Sequence, residues 1–138
     1  MVMTMRKELD GALCKNYPEI FRDRNGDART TAMVWGFECG DGWYNIINTM
    51  CEQIENYQQY LLRNGEEFSP VVATQVKEKY GILRFYYTGG DEYIEGIVDL
   101  TESLSATICE TCGASGKLRD GGGWLITLCD EHAEERGY

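Results

Sequence analysis

The sequence predicts an α+β fold in which helices pack on a small antiparallel β-sheet. Two long segments repeat apolar residues at helical spacing, and a run rich in β-branched and aromatic residues lies between them. A sheet-forming run flanked by amphipathic helices is typical of such folds, because each helix must bury its apolar face. The 138 residues are enough for one domain, or for one domain with a small appendage.

Three segments before the cysteine-rich region are predicted to be helical. The first spans residues 3–17 and should end before Pro18. The second spans residues 42–63, with Asp41 as a favourable N-cap, and the third spans residues 91–107. The apolar stripes that predict these helices are Leu9, Ala12 and Leu13; Ile47, Met50, Ile54, Tyr57 and Leu61; and Ile94, Ile97, Val98, Leu104 and Ile108.

The strands are predicted at residues 33–37 and 71–88. The second run is interrupted only at Tyr80-Gly81, which predicts a β-hairpin with a two-residue turn and a positive φ at Tyr80. A one-residue slip would exchange the apolar and polar faces, so the register is well specified. The predicted pairs are Lys79 with Ile82, Lys77 with Arg84, Val76 with Phe85, Gln75 with Tyr86, and Thr74 with Tyr87.

The C-terminal region carries a metal-ligand pattern, Cys-x2-Cys, sixteen residues, then Cys-x2-His. Its members are Cys109, Cys112, Cys129 and His132. Such a set can close a tetrahedral site, which predicts one structural Zn²⁺ per chain. Two strand-like pieces lie between the pairs, and a polar helix follows Cys129. We therefore expect a treble-clef-like zinc finger at residues 109–138, packed on an α+β core formed by residues 1–108.

Catalysis is disfavoured by the residue inventory. Some treble-clef proteins are nucleases that use a free histidine as general base, but this chain has one histidine and the predicted zinc takes it. Nucleophilic cysteine catalysis lacks an imidazole for the same reason. A carboxylate-based enzyme stays open, although no pair of carboxylates stands out. We therefore expect a protein that is not an enzyme.

The net charge of −10 bears on partners and location. An acidic surface repels phosphate backbones and anionic lipids, so nucleic-acid and membrane binding are disfavoured. The N-terminal residues lack the apolar region of a signal peptide, and no apolar run reaches the roughly 18 residues of a membrane span. A cytoplasmic protein is expected, in which paired cysteines bind metal.

The predicted hairpin places basic and aromatic side chains on one face: Gln75, Lys77, Lys79, Arg84 and Tyr86. This basic patch either pairs with the protein's own carboxylates, such as Glu95 or Asp99, or binds an anionic ligand or an acidic partner surface. The third helix carries an acidic stripe at positions i, i+3, i+7 and i+10, formed by Glu92, Glu95, Asp99 and Glu102. This stripe is either a solvated face or a surface for a basic partner.

Three stretches resemble a known group of sequences: Gly40-Asp41-Gly42-Trp43, residues 75–86, and the cysteine-rich tail with its Gly-Trp-Leu segment. From about Tyr17 onward the chain resembles a family of small uncharacterised zinc-binding proteins of bacteria and their phages and prophages. The resemblance implies a zinc-binding accessory protein and brings no catalytic residues. Phage proteins of this size and acidity often inhibit host defence systems.

Three functions follow as hypotheses. The leading one is a non-enzymatic zinc-binding protein that binds a macromolecular partner, such as a host defence factor, and acts in the host cytoplasm if phage-encoded. The alternative is a binder of an anionic metabolite or nucleotide that uses the basic face of the hairpin. The third is a carboxylate-based enzyme.

Overall fold

A computed structural model describes residues 3–138 and has an α+β architecture, as predicted. Within this range the α-helices are α1 (Lys7–Asn16), α2 (Tyr44–Arg63), α3 (Glu92–Ser105) and α4 (Asp130–Arg136). The strands are β1 (Phe37–Glu38), β2 (Val72–Lys79), β3 (Ile82–Thr88), β4 (Lys117–Asp120) and β5 (Leu125–Leu128). None of the described helices combines the length and apolar character needed to cross a membrane.

The strands form a three-stranded sheet in the order β1-β2-β3 and a separate β4-β5 hairpin. The first sheet is mixed, because β1 runs parallel to β2 while β3 is antiparallel to it. The prediction of a purely antiparallel sheet is therefore wrong. The parallel strand is only two residues long, which is why its pairing direction left no recognisable pattern in the sequence.

The strand predicted at residues 33–37 is largely wrong. Ala32–Trp35 form a 3₁₀ turn, capped by the Thr31 hydroxyl, which accepts a hydrogen bond from the Met33 N–H. Gly36 then adopts a φ of 75°, which interrupts extended backbone, and pairing begins only at Phe37. Local capping thus overrode the β propensity of this apolar run.

The register of the β2-β3 hairpin is confirmed at four of its five predicted pairs, and Tyr80 has the expected positive φ, 55°. The fifth pair is wrong. A β-bulge between Ala73 and Gln75 leaves Thr74 without a cross-strand partner, so Tyr87 pairs with Ala73. Ala73 is consequently buried in the core, where the unshifted register would have placed its neighbour.

The hydrophobic core lies between the three-stranded sheet and the helices. Ile47, Met50 and Ile54 of the predicted α2 stripe are buried there together with Cys51, and Trp43 just before α2 is fully enclosed. The stripe becomes less regular towards its end, where Tyr57 is only half-buried and Leu61 lies outside this core cluster. Helix α1 contributes Leu13 to the same core, and β1 contributes Phe37. Burial of these large side chains is the main source of stability, at roughly 1.5–3 kcal/mol for each apolar side chain.

The outer edge of β3 is covered by side chains of α3. The Leu83 N–H donates to Ser105 Oγ at 2.9 Å, and the Phe85 N–H donates to Glu102 Oε2 at 2.8 Å. These two N–H groups point away from β2 and would otherwise be free to pair with another strand. Helix α3 therefore both packs on the core and closes the edge of the sheet.

We expect Ser105→Ala to lower the free energy of unfolding by about 1–3 kcal/mol, because the buried Leu83 N–H loses its acceptor. The matched control is Ser103→Ala on the exposed side of the same helix, which should change stability by no more than about 0.5 kcal/mol. Urea denaturation followed by circular dichroism measures both. Equal stabilities of the two variants would contradict the proposed role of Ser105.

Candidate metal centre

The four predicted ligands come from two separate segments. Cys109 and Cys112 lie in a tight turn after α3 that ends at Gly113, whose φ is 84°. Cys129 precedes α4 and its Sγ accepts a hydrogen bond from the His132 N–H at 3.4 Å, which caps the helix. His132 lies in the first turn of that helix, so both its backbone and its imidazole face Cys129.

The structure brings these four residues together. Their ligand atoms all lie within 4.8 Å of one another. The separation is 3.9 Å between Cys112 Sγ and Cys129 Sγ, and His132 Nδ1 lies 3.7 Å from Cys109 Sγ and 3.2 Å from Cys129 Sγ. A tetrahedral zinc ion would separate two sulfurs by about 3.8 Å, and a sulfur from a nitrogen by about 3.6 Å. The spacing is compatible with a four-coordinate metal site.

The surroundings of the cluster favour ligation. Burial acts to raise the pKa of the Cys109 thiol, but backbone N–H groups of Cys129, Cys112 and Thr111 outweigh it and lower that pKa to about 6. A thiolate is the form that binds a metal. The second imidazole nitrogen, His132 Nε2, lies 3.8 Å from a carboxylate oxygen of Glu135. This distance is too long for a hydrogen bond, so the Glu135 carboxylate lies near the ring without fixing its orientation.

The turn that carries the first cysteine pair packs directly against the segment Gly40-Asp41-Gly42-Trp43. The Gly42 N–H donates to the Glu110 carbonyl at 2.8 Å, and the Trp43 Nε1–H donates to the Ile108 carbonyl at 2.9 Å. The approach is so close that a Cβ on Gly42 would lie 2.1 Å from the Cys109 carbonyl oxygen. Only glycine fits there.

Asp41 does not play its predicted part. Helix α2 has no side-chain cap, and the Asp41 carboxylate instead accepts the Arg6 N–H at 2.9 Å. The sequence interpretation of this segment as a turn with an N-cap therefore missed its contact with the cysteines. The signal that pointed to it was the pair of glycines around Asp41, since closely spaced glycines often mark a close backbone approach.

Glu110 adds a buried polar contact between the cysteine turn and residues 40–43. Its side chain is only 1% exposed in the folded chain, and its Oε2 accepts the Gly40 N–H at 2.9 Å. Burial raises the pKa of this carboxyl to about 7. A carboxyl held between the core and the cysteine turn specifies how the two surfaces meet, because it must keep its hydrogen bond.

The β2-β3 turn forms a second contact with the cysteine-rich segment. Thr127 Oγ1 donates to the Gly81 carbonyl at 2.7 Å, and a Cβ on Gly81 would lie 2.5 Å from the Leu118 side chain. The two hairpins therefore meet at the Tyr80-Gly81 turn. Residues 40–43 and the Tyr80-Gly81 turn therefore both lie against the cysteine-rich segment.

Some residues of the predicted basic patch have acidic partners within the chain, and others do not. Gln75 Nε2 donates to Glu38 Oε1 at 3.2 Å, and Arg84 pairs with Glu102 at 3.6 Å, where Glu95 or Asp99 was expected. No salt bridge of the described residues includes Lys77 or Lys79. These two lysines line a cleft of about 390 Å³ between the two hairpins, with Tyr80 and Trp124. Tyr86 stays exposed on β3.

Three members of the predicted acidic stripe face solvent, and the fourth does not. Glu92, Glu95 and Asp99 are exposed on α3, as an interaction surface requires. Glu102 is half-buried, because it holds the edge of β3 and pairs with Arg84. It is therefore a structural residue of the sheet edge, and the solvent-facing stripe consists of the other three.

Comparison of the chain with family models, curated proteins and solved structures finds no match. The resemblance to small zinc-binding proteins of bacteria and phages therefore stays a prediction.

We expect Gly42→Ala to separate the cysteine turn from the core, because its Cβ would overlap the Cys109 carbonyl oxygen. Overpacking of this kind lowers the free energy of unfolding by about 1–3 kcal/mol. The control is Gly11→Ala in α1, where an added Cβ meets no described atom within 4 Å and helix propensity should raise stability by up to about 1 kcal/mol. Thermal denaturation distinguishes the two variants. An unchanged melting temperature for Gly42→Ala would contradict the close packing of Gly42 against the Cys109 turn.

Proposed function

We propose that this chain is a non-enzymatic zinc-binding protein that acts by binding a macromolecular partner. The observation that carries the metal part is the convergence of three cysteines and one histidine within 4.8 Å, on a segment joined to the core by buried hydrogen bonds. The cysteine turn, the β4-β5 hairpin and α4 follow one another in the order of a treble-clef-like finger. This order supports the assignment of that finger type.

The donor set supports zinc, and a structural role for it. Three thiolates and an imidazole in a tetrahedral arrangement suit zinc better than the oxygen-seeking ions Mg²⁺ and Ca²⁺. Four protein ligands leave no coordination position for water or substrate, which a catalytic zinc ion needs. The bound metal would therefore hold the C-terminal segment in shape against the core.

The remaining cysteines support the absence of catalysis. Burial and the neighbouring Asp10 raise the pKa of Cys14 to about 11, and burial raises the pKa values of Cys39 and Cys51 as well. Thiols with raised pKa values are weak nucleophiles at neutral pH. The single imidazole belongs to the metal cluster, so no general base of that kind is left for them.

Binding of a partner is supported by the surface of the folded chain. The net charge is −10, and several large apolar side chains lie exposed on α2 and α3 beside the acidic stripe. The resemblance to phage and prophage sequences extends the proposal to an accessory protein directed at a host defence factor.

We expect the purified protein to contain one equivalent of zinc by elemental analysis. Cys112→Ser should lose the metal and the fold of residues 109–138, since metal binding contributes on the order of 10 kcal/mol to folding of small fingers. Two controls bracket this result. His132→Cys keeps four ligands and should keep zinc, and Cys14→Ser lies outside the cluster and should keep it too. Metal-free protein with an intact fold would overturn the proposal.

A second candidate function is the binding of an anionic small molecule in the cleft between the two hairpins. Lys77 and Lys79 line it without a salt-bridge partner among the described residues, and Tyr80 and Trp124 offer exposed aromatic rings. Glu78 also lines the cleft, and its carboxylate accepts a hydrogen bond from the Gly81 N–H. Two ammonium groups beside aromatic faces suit a planar anion such as a nucleotide. Arg84, the residue best suited to grip a phosphate, is already engaged by Glu102.

This candidate predicts that adenosine monophosphate binds the wild-type protein with an affinity that falls as salt is raised. Replacing both lysines, Lys77→Ala with Lys79→Ala, should weaken binding at least about tenfold, which is 1.4 kcal/mol. Lys15→Ala, on a distant helix, should leave the affinity unchanged. Calorimetric titration measures all three, and no heat of binding to the wild type would rule out this nucleotide as a ligand.

A further inference from the structure

Helix α3 presents an exposed apolar row. Tyr93, Leu100 and Leu104 follow positions i, i+7 and i+11, which places them on one side of the helix. They are 59%, 63% and 44% exposed. The row continues onto α2, because the Tyr93 ring stacks on Tyr57 with centroids 4.2 Å apart and Tyr60 lies beside Tyr57. Single exposed apolar residues are ordinary on protein surfaces, but a contiguous row marks an interaction site.

This row is not the side of α3 that stabilises the fold. The buried side of the helix carries Ile94 and Val98, which belong to the core cluster, and Thr101 and Ser105. The hydrophobic requirement of the helix is therefore already met within the chain. The exposed leucines are additional, and water contacts them unless another molecule covers them.

The charge of the helix limits the kind of molecule that can cover the exposed leucines. Glu92, Glu95 and Asp99 lie exposed on the other flank of α3, and the chain has no Lys or Arg between Phe85 and Gly116. The surface is thus apolar along one side and uniformly acidic along the other. A complementary partner carries an apolar stripe next to basic residues.

The surface between the apolar row and the acidic flank carries a residue without a side chain. Gly96 lies there, and a Cβ added to it would meet no described atom within 4 Å. An interior helical glycine weakens a helix, and nothing within the described chain explains this one. Absence of a side chain lets another backbone come close, as small residues do where helices pack tightly. Gly11 in α1 is equally open, but its helical neighbours are Lys7 and Lys15, without an apolar row.

We propose that a basic amphipathic helix of a protein partner docks along this surface, here named the α3 face. It consists of Tyr93, Gly96, Leu100 and Leu104 with the acidic flank Glu92, Glu95 and Asp99. The proposal rests on the proposed function and gives its partner a chemistry. Helix-in-groove binding uses apolar anchors at such spacings, with charge fixing the orientation. The 14 residues of α3 extend about 21 Å, enough to contact about four turns of a partner helix.

Charge decides against the other occupants. A second copy of this chain would bring its own acidic flank, and a net charge of −10, against the first. Phosphate backbones and anionic lipid surfaces are repelled for the same reason. A basic helix is attracted by the acidic flank and covers the leucines.

The test uses the zinc-loaded 138-residue chain and a synthetic 18-residue peptide that places leucine on one helical face and lysine on the other. We expect amide chemical shifts in two-dimensional NMR to change at residues 92–104 and around Tyr57, with an affinity that falls as salt is raised. Gly96→Gln should weaken binding at least tenfold while raising the melting temperature, because a side chain there favours the helix and blocks the approach. A purely structural role of Gly96 cannot produce these opposite effects.

The controls isolate the surface. Gly11→Gln should raise the melting temperature and leave binding unchanged, and Leu100→Gln should weaken binding without unfolding the chain. Equal peptide affinity for wild type, Gly96→Gln and Leu100→Gln would overturn the proposal. So would a dimer in solution that Leu100→Gln dissociates, since the face would then belong to a second copy. A protein that holds one zinc equivalent but ignores the peptide refutes this inference and leaves the zinc assignment standing.

Discussion

The close packing of Gly42 against the Cys109 turn is the contact on which the arrangement of the molecule depends. Backbone touches backbone there, so the two surfaces have almost no freedom to shift. The Trp43 indole and the Glu110 carboxyl place directional hydrogen bonds on either side of it. Two of the four residues in the cluster, Cys109 and Cys112, are therefore positioned by the core. A metal bound by all four would transmit that position to α4, since Cys129 caps that helix and His132 lies in its first turn.

Helix α3 also has more than one structural role, and three of its sides make different contacts. One side buries aliphatic residues in the core and also carries Ser105, the acceptor for the Leu83 N–H, and a second side carries Glu102, the acceptor for the Phe85 N–H. These contacts hold the helix in place along its length. The third side is left with exposed leucines, acidic residues and an open glycine, none of which the fold requires. A surface of this kind on a rigidly held helix is a suitable platform for recognition, because little order is lost on binding.

Charge is distributed unevenly over this acidic molecule. Several arginines are engaged by carboxylates of the chain itself, as Arg24 is by Asp10 and Arg84 by Glu102. The two lysines at the end of β2 are left without such partners among the described residues, beside Tyr80 and Trp124. Acidic α3 and the lysine-lined cleft are therefore regions of opposite character, and they suit ligands of opposite charge.

The sequence by itself determined the features that depend on local periodicity and spacing: the α+β class, the long helix α2, the hairpin register around Tyr80-Gly81, and the four residues of the cluster. Each is encoded within a few adjacent residues, or in the limited chemistry of cysteine and histidine. Tertiary structure decided the parallel pairing of β1, the bulge before Gln75, the pairing of Arg84 with Glu102, and the use of Gly42 as a seat for the cysteines. These depend on residues distant in the chain, as Gly42 and Glu110 are, and no local pattern of apolar or polar residues specifies which distant surfaces will meet.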